Sequence, residues 1–261
     1  MRKQFLLLNL LISSFLSHAQ ISPEVGNPPF QVGEELRYKI RYGLLNCAEG
    51  IMRVEESPKE FNNSKAFRLI ASGQTSSAVS WIVNVQNRWD SYVNANTLLP
   101  YMFTETVRED NYRREGYISF DRKNKKANTN KGVFNINEDT FDIISMFYYA
   151  RALELSGVRP GDVLTFSYFL DDTLYPMNIR YLGKEKVKTP NGKVECLKFT
   201  PSLVKGRIFK KNGKMYLWVT NDANRIPVRA DVEILVGAIH LDLISYKNLK
   251  HPFGQLAMSD K

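Results

Sequence analysis

The stretch ELRYKIRY, residues 35–42, decides the fold class of this chain. Its apolar side chains Leu36, Tyr38, Ile40 and Tyr42 occupy every second position, and charged side chains separate them. A period of two places alternate side chains on opposite faces of a β-strand. The stretch therefore predicts a strand with one buried face, and the same pattern recurs through most of the chain.

Further alternating or apolar runs predict a series of strands. They cover residues 50–55, 66–72, 88–93, 101–108, 113–121, 125–130, 163–170, 175–184, 185–189, 194–200, 214–220, 226–236 and 238–246. Short polar turns separate most of them, and strands joined by short turns pair antiparallel. Residues 76–85 fit either a short helix or a buried strand. The sequence therefore predicts a mainly antiparallel β fold.

One helix is predicted at residues 141–155. Asp139 or Thr140 can cap its start, because a short side-chain oxygen accepts hydrogen bonds from the first backbone N–H groups. An apolar stripe follows at helical spacing, formed by Ile143, Met146, Phe147 and Ala150. We expect one domain over residues 20–261, with this central helix packed on the sheet.

Residues 1–19 have the order of a secretory signal peptide. Arg2 and Lys3 are basic, residues 5–16 are mostly apolar, and small residues end with Ala19. The apolar run is shorter than the roughly 20 residues that a membrane-spanning helix needs. We therefore expect export to the periplasm or the outer cell envelope, with no transmembrane segment.

The chain is basic, with a net charge of +9, and the charge is uneven. Residues 183–214 hold ten Lys or Arg against two Glu, a net charge of +8. Such a surface attracts an acidic glycan or a protein partner. The alternative is that these charges simply keep the faces and turns of hairpins solvated. The candidate basic face consists of Lys205, Arg207, Lys210, Lys211 and Lys214. No nucleic-acid-binding motif is present, so no nucleic acid is expected as a partner.

The cysteines and histidines give little sign of chemistry. Cys47 and Cys196 can form a disulfide in an exported protein, or both can be small buried apolar residues. His240 and His251 have no His or Cys at metal-ligand spacing. We therefore expect no metal, no cofactor and no catalytic residue.

The aromatic side chains and one arginine are candidates for a ligand site. Tyr38, Tyr42, Trp81 and Trp218 can line a cavity of the sheet, although most aromatic residues simply fill a core. Arg151, late in the predicted helix, can anchor a carboxylate or a phosphate, or hold the helix to the sheet.

Several short stretches, in order, resemble a known bacterial exported family. They are GEELRY at residues 33–38, AEG at 48–50, FDIISMFYYAR at 141–151, RPGD at 159–162, TPNG at 189–192 and RIPV at 225–228. The family is domain of unknown function 3108, and the resemblance spans nearly the whole chain after residue 19. It implies a β-barrel-like fold, found in the cell envelope, without an established activity.

The resemblance also implies structural roles for particular residues. Those residues are Gly50, Gly161 and Gly192 at turns, Pro227 at a strand start, and Asp142 and Arg151 in fixing the helix. Cys47 departs from the family pattern, so the resemblance does not support the disulfide. By fold-level analogy, we further expect an architecture similar to that of envelope carriers that hold a lipid in an open β-barrel.

Three functional hypotheses follow from the sequence. The first is an envelope protein that binds an apolar or amphipathic ligand, such as a lipid, between sheet and helix. The alternative is a module that binds an acidic glycan or a protein partner through the basic face. A hydrolase is the third hypothesis, because catalytic triads assemble from positions far apart in sequence.

Overall fold

The computed structural model describes residues 27–61, 63–202 and 213–254, and these contain fifteen strands and one helix. In chain order they are β1 (Glu35–Tyr42), β2 (Leu45–Glu56), β3 (Ala66–Thr75), β4 (Gln86–Asn94), β5 (Pro100–Glu109), β6 (Tyr112–Asp121), β7 (Lys126–Thr129), β8 (Gly132–Asn135), β9 (Thr140–Phe141), α1 (Ile143–Arg151), β10 (Val163–Leu170), β11 (Thr173–Thr189), β12 (Gly192–Pro201), β13 (Met215–Thr220), β14 (Pro227–Glu233) and β15 (Ala238–Lys247). The proposed signal peptide and Lys205, Arg207, Lys210 and Lys211 lie outside the described residues.

All fifteen strands belong to one sheet, in the order β8-β7-β6-β5-β4-β3-β2-β1-β15-β14-β13-β12-β11-β10-β9. Neighbours pair antiparallel, except that β9 and β10 are parallel. The first strand, β1, pairs with both β2 and β15, so the first and the last described strands meet in the middle of the sheet. The mainly antiparallel β fold with one central helix is confirmed.

The sheet curls until its two margins touch through side chains. The rings of Phe134 on β8 and Phe169 on β10 have centroids 5.7 Å apart. Asp172, in the turn after β10, accepts hydrogen bonds from Thr129 Oγ1 at 2.9 Å and from Lys131 Nζ at 2.7 Å. Among the described residues, no backbone ladder joins these margins. The result is a barrel-like sheet that remains open.

The structure differs from the predicted strands in a few places. The two strands predicted at residues 175–184 and 185–189 form the single strand β11, which bulges at Leu182. The run predicted to end at residue 236 ends at Glu233, because residues 234–237 form a turn. Residues 76–85 form an exposed loop of turns rather than a short helix or a buried strand.

The helix is shorter than the predicted range 141–155: it begins two residues later, after a later cap, and it ends at Arg151. Asp142 is the N-cap: its carboxylate accepts hydrogen bonds from the backbone of Ile144 and Ser145. The proposed cap Thr140 belongs to β9 instead. The Asp142 carboxylate also accepts a hydrogen bond of 2.7 Å from Ser91 Oγ on β4. Burial raises the pKa of Asp142 despite these hydrogen bonds. The same side chain therefore starts the helix and fixes it to the sheet.

The helix lies inside the curl, so the predicted single apolar stripe is wrong. Ile144 and Tyr148 belong to a core cluster with Val93 of β4. Met146 belongs to a second cluster with Phe166 of β10, on the other wall. Because both walls cover the helix, apolar side chains are needed around more than one face. No helix in the described ranges is long and apolar enough to cross a membrane.

A buried ion pair fastens the end of the helix. The Arg151 guanidinium donates two hydrogen bonds to the Glu34 carboxylate, at 2.7 and 2.9 Å, and both side chains are almost fully buried. Arg151 also donates to the Asn224 carbonyl between β13 and β14. The rings of Phe30 and Tyr148 lie 5.4 and 5.1 Å from the guanidinium carbon. These contacts join the segment before β1, the helix and the turn before β14.

Replacing one partner of this pair is expected to destabilise the fold strongly. Arg151→Met leaves the Glu34 carboxylate buried without its cation, and such a change costs about 3–5 kcal/mol. The measurement is the free energy of unfolding from urea titration. Arg108→Met, at an exposed arginine, is the control and should change that free energy by less than about 0.5 kcal/mol.

The double variant Glu34→Leu/Arg151→Met separates the charge effect from packing. Removing both charges should recover a large part of the loss, because no uncompensated charge then stays buried. A double variant that loses the sum of the two single losses would show that the pair is not energetically coupled.

Candidate functional site

A basic cleft of about 420 Å³ lies on the outer face of the sheet, where β1, β14 and β15 run side by side. Lys39 and Arg41 of β1 line it on the face opposite the buried Tyr38. Arg229 of β14 and Asp242 of β15 complete the strand side. The tip of the β11–β12 hairpin, residues 188–190, forms the remaining wall.

Asp242 holds the two arginines of the cleft in place. Its Oδ2 accepts hydrogen bonds from Arg41 Nε at 3.1 Å and Nη2 at 2.6 Å, and its Oδ1 accepts one from Arg229 Nε at 2.9 Å. Burial acts to raise the pKa of Asp242, but the hydrogen bonds from both arginines outweigh it and the pKa is lowered. The carboxylate therefore stays ionised and orients both guanidinium groups.

The cleft has a surplus of positive charge. Lys39, Arg41, Lys188 and Arg229 supply four cations against the carboxylate of Asp242. Both arginine side chains remain about one third exposed, so they can reach a ligand. A guanidinium suits a carboxylate or a phosphate because its N–H groups match two oxygens at once. The cleft can thus bind an anionic group.

Apolar atoms accompany these cations. Ile244, which is half-buried, and Pro190, which is exposed, also line the cleft, so a ligand can place C–H groups beside its charge. Within the described ranges, no group of three His, Cys, Asp or Glu side chains is arranged to hold a metal. The cleft therefore offers electrostatic and apolar contacts.

A second cleft, of about 380 Å³, lies across β2, β3, β4 and β5. Its lining mixes Glu49 with Arg88 and Arg108. Arg88 is paired with Asp90, at 2.9 Å. This cleft has less surplus charge than the basic cleft and suits an anion less well.

Three of the five residues predicted to form a ligand site are buried and contact other residues of the chain. Tyr38 donates a hydrogen bond to the Pro227 carbonyl at 3.1 Å, and burial raises its pKa. Trp218 is buried in the same core cluster as Tyr38, and Lys198 Nζ lies 4.7 Å from the centroid of its ring. The Arg151 guanidinium forms a buried ion pair with the Glu34 carboxylate. These side chains fill the core.

The other two candidates lie at the exposed end of the sheet. Tyr42 donates a hydrogen bond to the Val236 carbonyl, and Trp81 is largely exposed in the loop between β3 and β4. The structure therefore brings Tyr38, Trp218 and Arg151 into the interior, and leaves Tyr42 and Trp81 outside it. The five residues do not line one cavity. Of the predicted basic face, Lys214 is described and exposed, just before β13.

The disulfide considered from the sequence is not formed in the structure. Cys47 is a half-buried free thiol on β2, and Cys196 is a buried free thiol on β12. Cys196 packs with Trp218 and Val228, and burial raises its pKa to about 12. Cys196 is a small buried apolar residue, as the second alternative from the sequence expected of both cysteines, whereas Cys47 is only half-buried.

The residues with implied structural roles are placed as follows. Gly161 and Gly192 have φ angles of +105° and +108°, which favour glycine at their turns. Pro227 is the first residue of β14. Gly50 is not at a turn: it lies within β2, opposite Tyr38. Its implied turn role is therefore corrected to a position inside a strand.

Sequence reasoning missed the residues of the basic cleft. Arg41, Arg229 and Asp242 each stand on the polar face of an alternating strand, where solvated side chains are expected. Nothing in one sequence tells that β1 pairs with β15 and β15 with β14. The period of two in the sequence shows which face of its strand each residue occupies, but it does not show which strands lie beside that strand.

Comparison with known families now adds to this geometry. The model of a family described as a protein of unknown function, DUF3108, matches residues 37–244. The chain belongs to the DUF3108 family. The matched region includes Arg41, Arg229 and Asp242, so the cleft lies within the family domain. The expected family membership is confirmed. A comparison with curated proteins finds no match.

Two solved structures are similar to this chain at low sequence identity. A β-barrel-like protein of domain of unknown function DUF1849 from Brucella abortus is 10% identical, with a TM-score of 0.54, over 87% of this chain and 100% of that chain. A Bacteroides fragilis protein with a YmcC-like fold is 14% identical, with a TM-score of 0.36, over 85% of this chain and 99% of that chain. The Brucella likeness shows the β-barrel-like fold.

The ion pairs of Asp242 are expected to make stability depend on pH. A carboxyl whose pKa is lowered by folding contributes stability above its unfolded pKa, and this contribution is lost as pH falls through the folded value. Asp242→Asn should therefore be less stable than the unmodified chain at neutral pH. The difference should shrink as the pH falls below about 4. Urea unfolding of both proteins across this range measures it, and a constant difference would contradict the ionised state.

Proposed function

We propose that this protein is exported to the bacterial cell envelope and binds an acidic glycan in the basic cleft. The observation that carries the proposal is the pair of arginines that Asp242 orients inside an open cleft. Four cations face one carboxylate there, so the cleft favours a ligand with more negative charge than it already contains.

Export is supported by the sequence. Residues 1–19 have the basic start, apolar middle and small-residue end of a signal peptide. An exported basic protein meets the acidic polysaccharides and lipids of the envelope rather than nucleic acid.

The composition of the cleft favours a sugar acid. A carboxylate of such a sugar can accept hydrogen bonds from Arg41 or Arg229, and Lys39 can add charge at the strand side. The C–H groups of a sugar ring suit the apolar atoms of Pro190 and Ile244. The volume of about 420 Å³ lies within the range of small-molecule sites.

The apolar-ligand hypothesis stays a prediction that the present geometry favours less. It needs space between the sheet and the helix, and that region holds packed aromatic and aliphatic side chains. Tyr148 is fully buried beside Phe30, and Phe141 packs against Tyr149. The basic cleft, in contrast, is already open to solvent.

Calorimetric titration with trigalacturonate, an acidic sugar trimer, tests the proposal. Arg229→Gln should weaken binding about tenfold or more, because a hydrogen bond to a charged group contributes about 1.5–3 kcal/mol. Arg180→Gln, at an exposed arginine outside the cleft, should leave the affinity unchanged. Added salt should also weaken binding, since exposed charges are screened.

Neutral maltotriose is the matched ligand control. Equal binding of maltotriose and trigalacturonate would reject anion recognition, and so would an Arg229→Gln protein that binds normally. A thermal unfolding curve for each variant verifies that the fold is retained. If no acidic glycan binds and an acidic peptide does, the protein-partner alternative replaces the proposal.

A further inference from the structure

Three connections with apolar tips lie at one end of the sheet. They are the β1–β2 turn at residues 43–44, the β3–β4 loop at 76–85 and the β14–β15 turn at 234–237. The strands that they join are consecutive in the sheet, in the order β4-β3-β2-β1-β15-β14. Antiparallel neighbours place alternate connections at the same end, so these three lie together.

The tips carry large apolar side chains that nothing in the described chain covers. Leu44 is 99% exposed, Trp81 is 81% exposed and Val236 is 73% exposed. The exposed apolar residues that accompany them are Leu45, Ile82, Val83 and Leu235. Single exposed apolar residues are ordinary, but a concentration at one end marks an interaction site.

Hydrogen bonds fix the three tips relative to one another. Ser76 donates its backbone N–H to the Cys47 carbonyl and its hydroxyl to the Asn46 carbonyl, both at 2.8 Å. Tyr42 donates its hydroxyl to the Val236 carbonyl at 3.2 Å. The loop after β3 is thus tied to the first hairpin, and the first hairpin to the last one. The apolar tips form one preformed end of the molecule.

The longest of the three connections, the β3–β4 loop, already satisfies much of its own polar backbone. Within the β3–β4 loop, Ser80 donates to the Ser76 carbonyl, and Ile82 and Val83 donate to the Val79 carbonyl. Trp81 Nε1 donates to the Ala78 carbonyl at 3.0 Å. A segment can enter a lipid phase only when its polar groups are paired internally. These donors need no water, which suits the loop for entry into lipid.

Acidic side chains near these tips are turned back onto the chain. Asp110 accepts a hydrogen bond from the Asn84 backbone at 2.9 Å, and Glu109 accepts one from the Asn87 side chain at 2.8 Å. Glu233 accepts one from the Lys214 backbone at 3.1 Å. Removal of residues 1–19, which contain Arg2 and Lys3, lowers the net charge from +9 to +7, so an anionic surface still attracts the processed chain.

We infer that this end of the protein docks on an anionic lipid bilayer, with the apolar tips entering its interface. Separate knobs on three turns suit a deformable lipid surface better than the shaped face of one protein partner. Tryptophan is the residue typical of a membrane interface, and Trp81 is largely exposed in the β3–β4 loop. Net positive charge and protruding apolar side chains are together the signals that hold a peripheral protein to anionic lipid.

Vesicle sedimentation with the exported, processed chain tests the inference. The vesicles are phosphatidylcholine with a quarter phosphatidylglycerol, and pure phosphatidylcholine is the comparison. Binding to the anionic vesicles is expected, with weaker binding to the neutral ones. The double variant Leu44→Ser/Trp81→Ser should lower the partition at least tenfold, because two exposed apolar anchors are lost. Both positions are exposed, so the fold should tolerate the changes.

Val163→Ser is the matched control, since Val163 is an exposed apolar residue at the start of β10, at the opposite end of the sheet. It should bind vesicles as the unmodified chain does. Tryptophan emission should shift to shorter wavelength on binding, and this shift should vanish in Trp81→Phe. Absence of vesicle binding would overturn the inference, and so would a double variant that binds normally. A dimer in solution that Leu44→Ser dissociates would assign the tips to a second copy instead.

Discussion

The buried guanidinium of Arg151 is the constraint on which the rest of the structure depends. A charge removed from water is tolerated only when its partners are all in place. Here the partners come from the segment before β1, through Glu34, and from the turn before β14, through the Asn224 carbonyl. The pair therefore requires the helix, the first strand and the late strands to reach their positions together. It closes one end of the curled sheet around the helix.

This closed end leaves the opposite end and the outer face free for interactions. The closed end contains the helix and its cap, where Asp142 joins helix and sheet. The basic cleft lies on strand faces that point away from the core. The Asp242 carboxylate orients Arg41 and Arg229 there through hydrogen bonds. The apolar tips lie on turns, where a side chain can change without disturbing a core. One frame thus carries two separate surfaces of different chemistry.

Much of the fold could be predicted from sequence, whereas most of the site could not. Alternation located strands such as β1 and β10 with their correct bounds, because a half-buried strand leaves a local record of period two. The prediction of a single apolar stripe on the helix was wrong because the strands around β4 and those around β10 both cover the helix. That arrangement depends on how strands far apart in sequence curl around it. Glu34 lies just before a strand, and nothing in its local sequence indicates that its carboxylate is buried against Arg151. The cleft depends on the register of β1, β14 and β15, which a single sequence does not specify.

The pairing of β1 with β15 has a consequence for the order in which the chain can fold. Hairpins from β1 to β8 can form as soon as their own residues have been made, since each strand pairs with its sequence neighbour. The central seam must wait for residues 238–247. Until then both β1 and β14 present unpaired edges, which are templates for wrong partners. A chain of this design gains its finished sheet only after β15 has been made, because β15 joins β1 to β14.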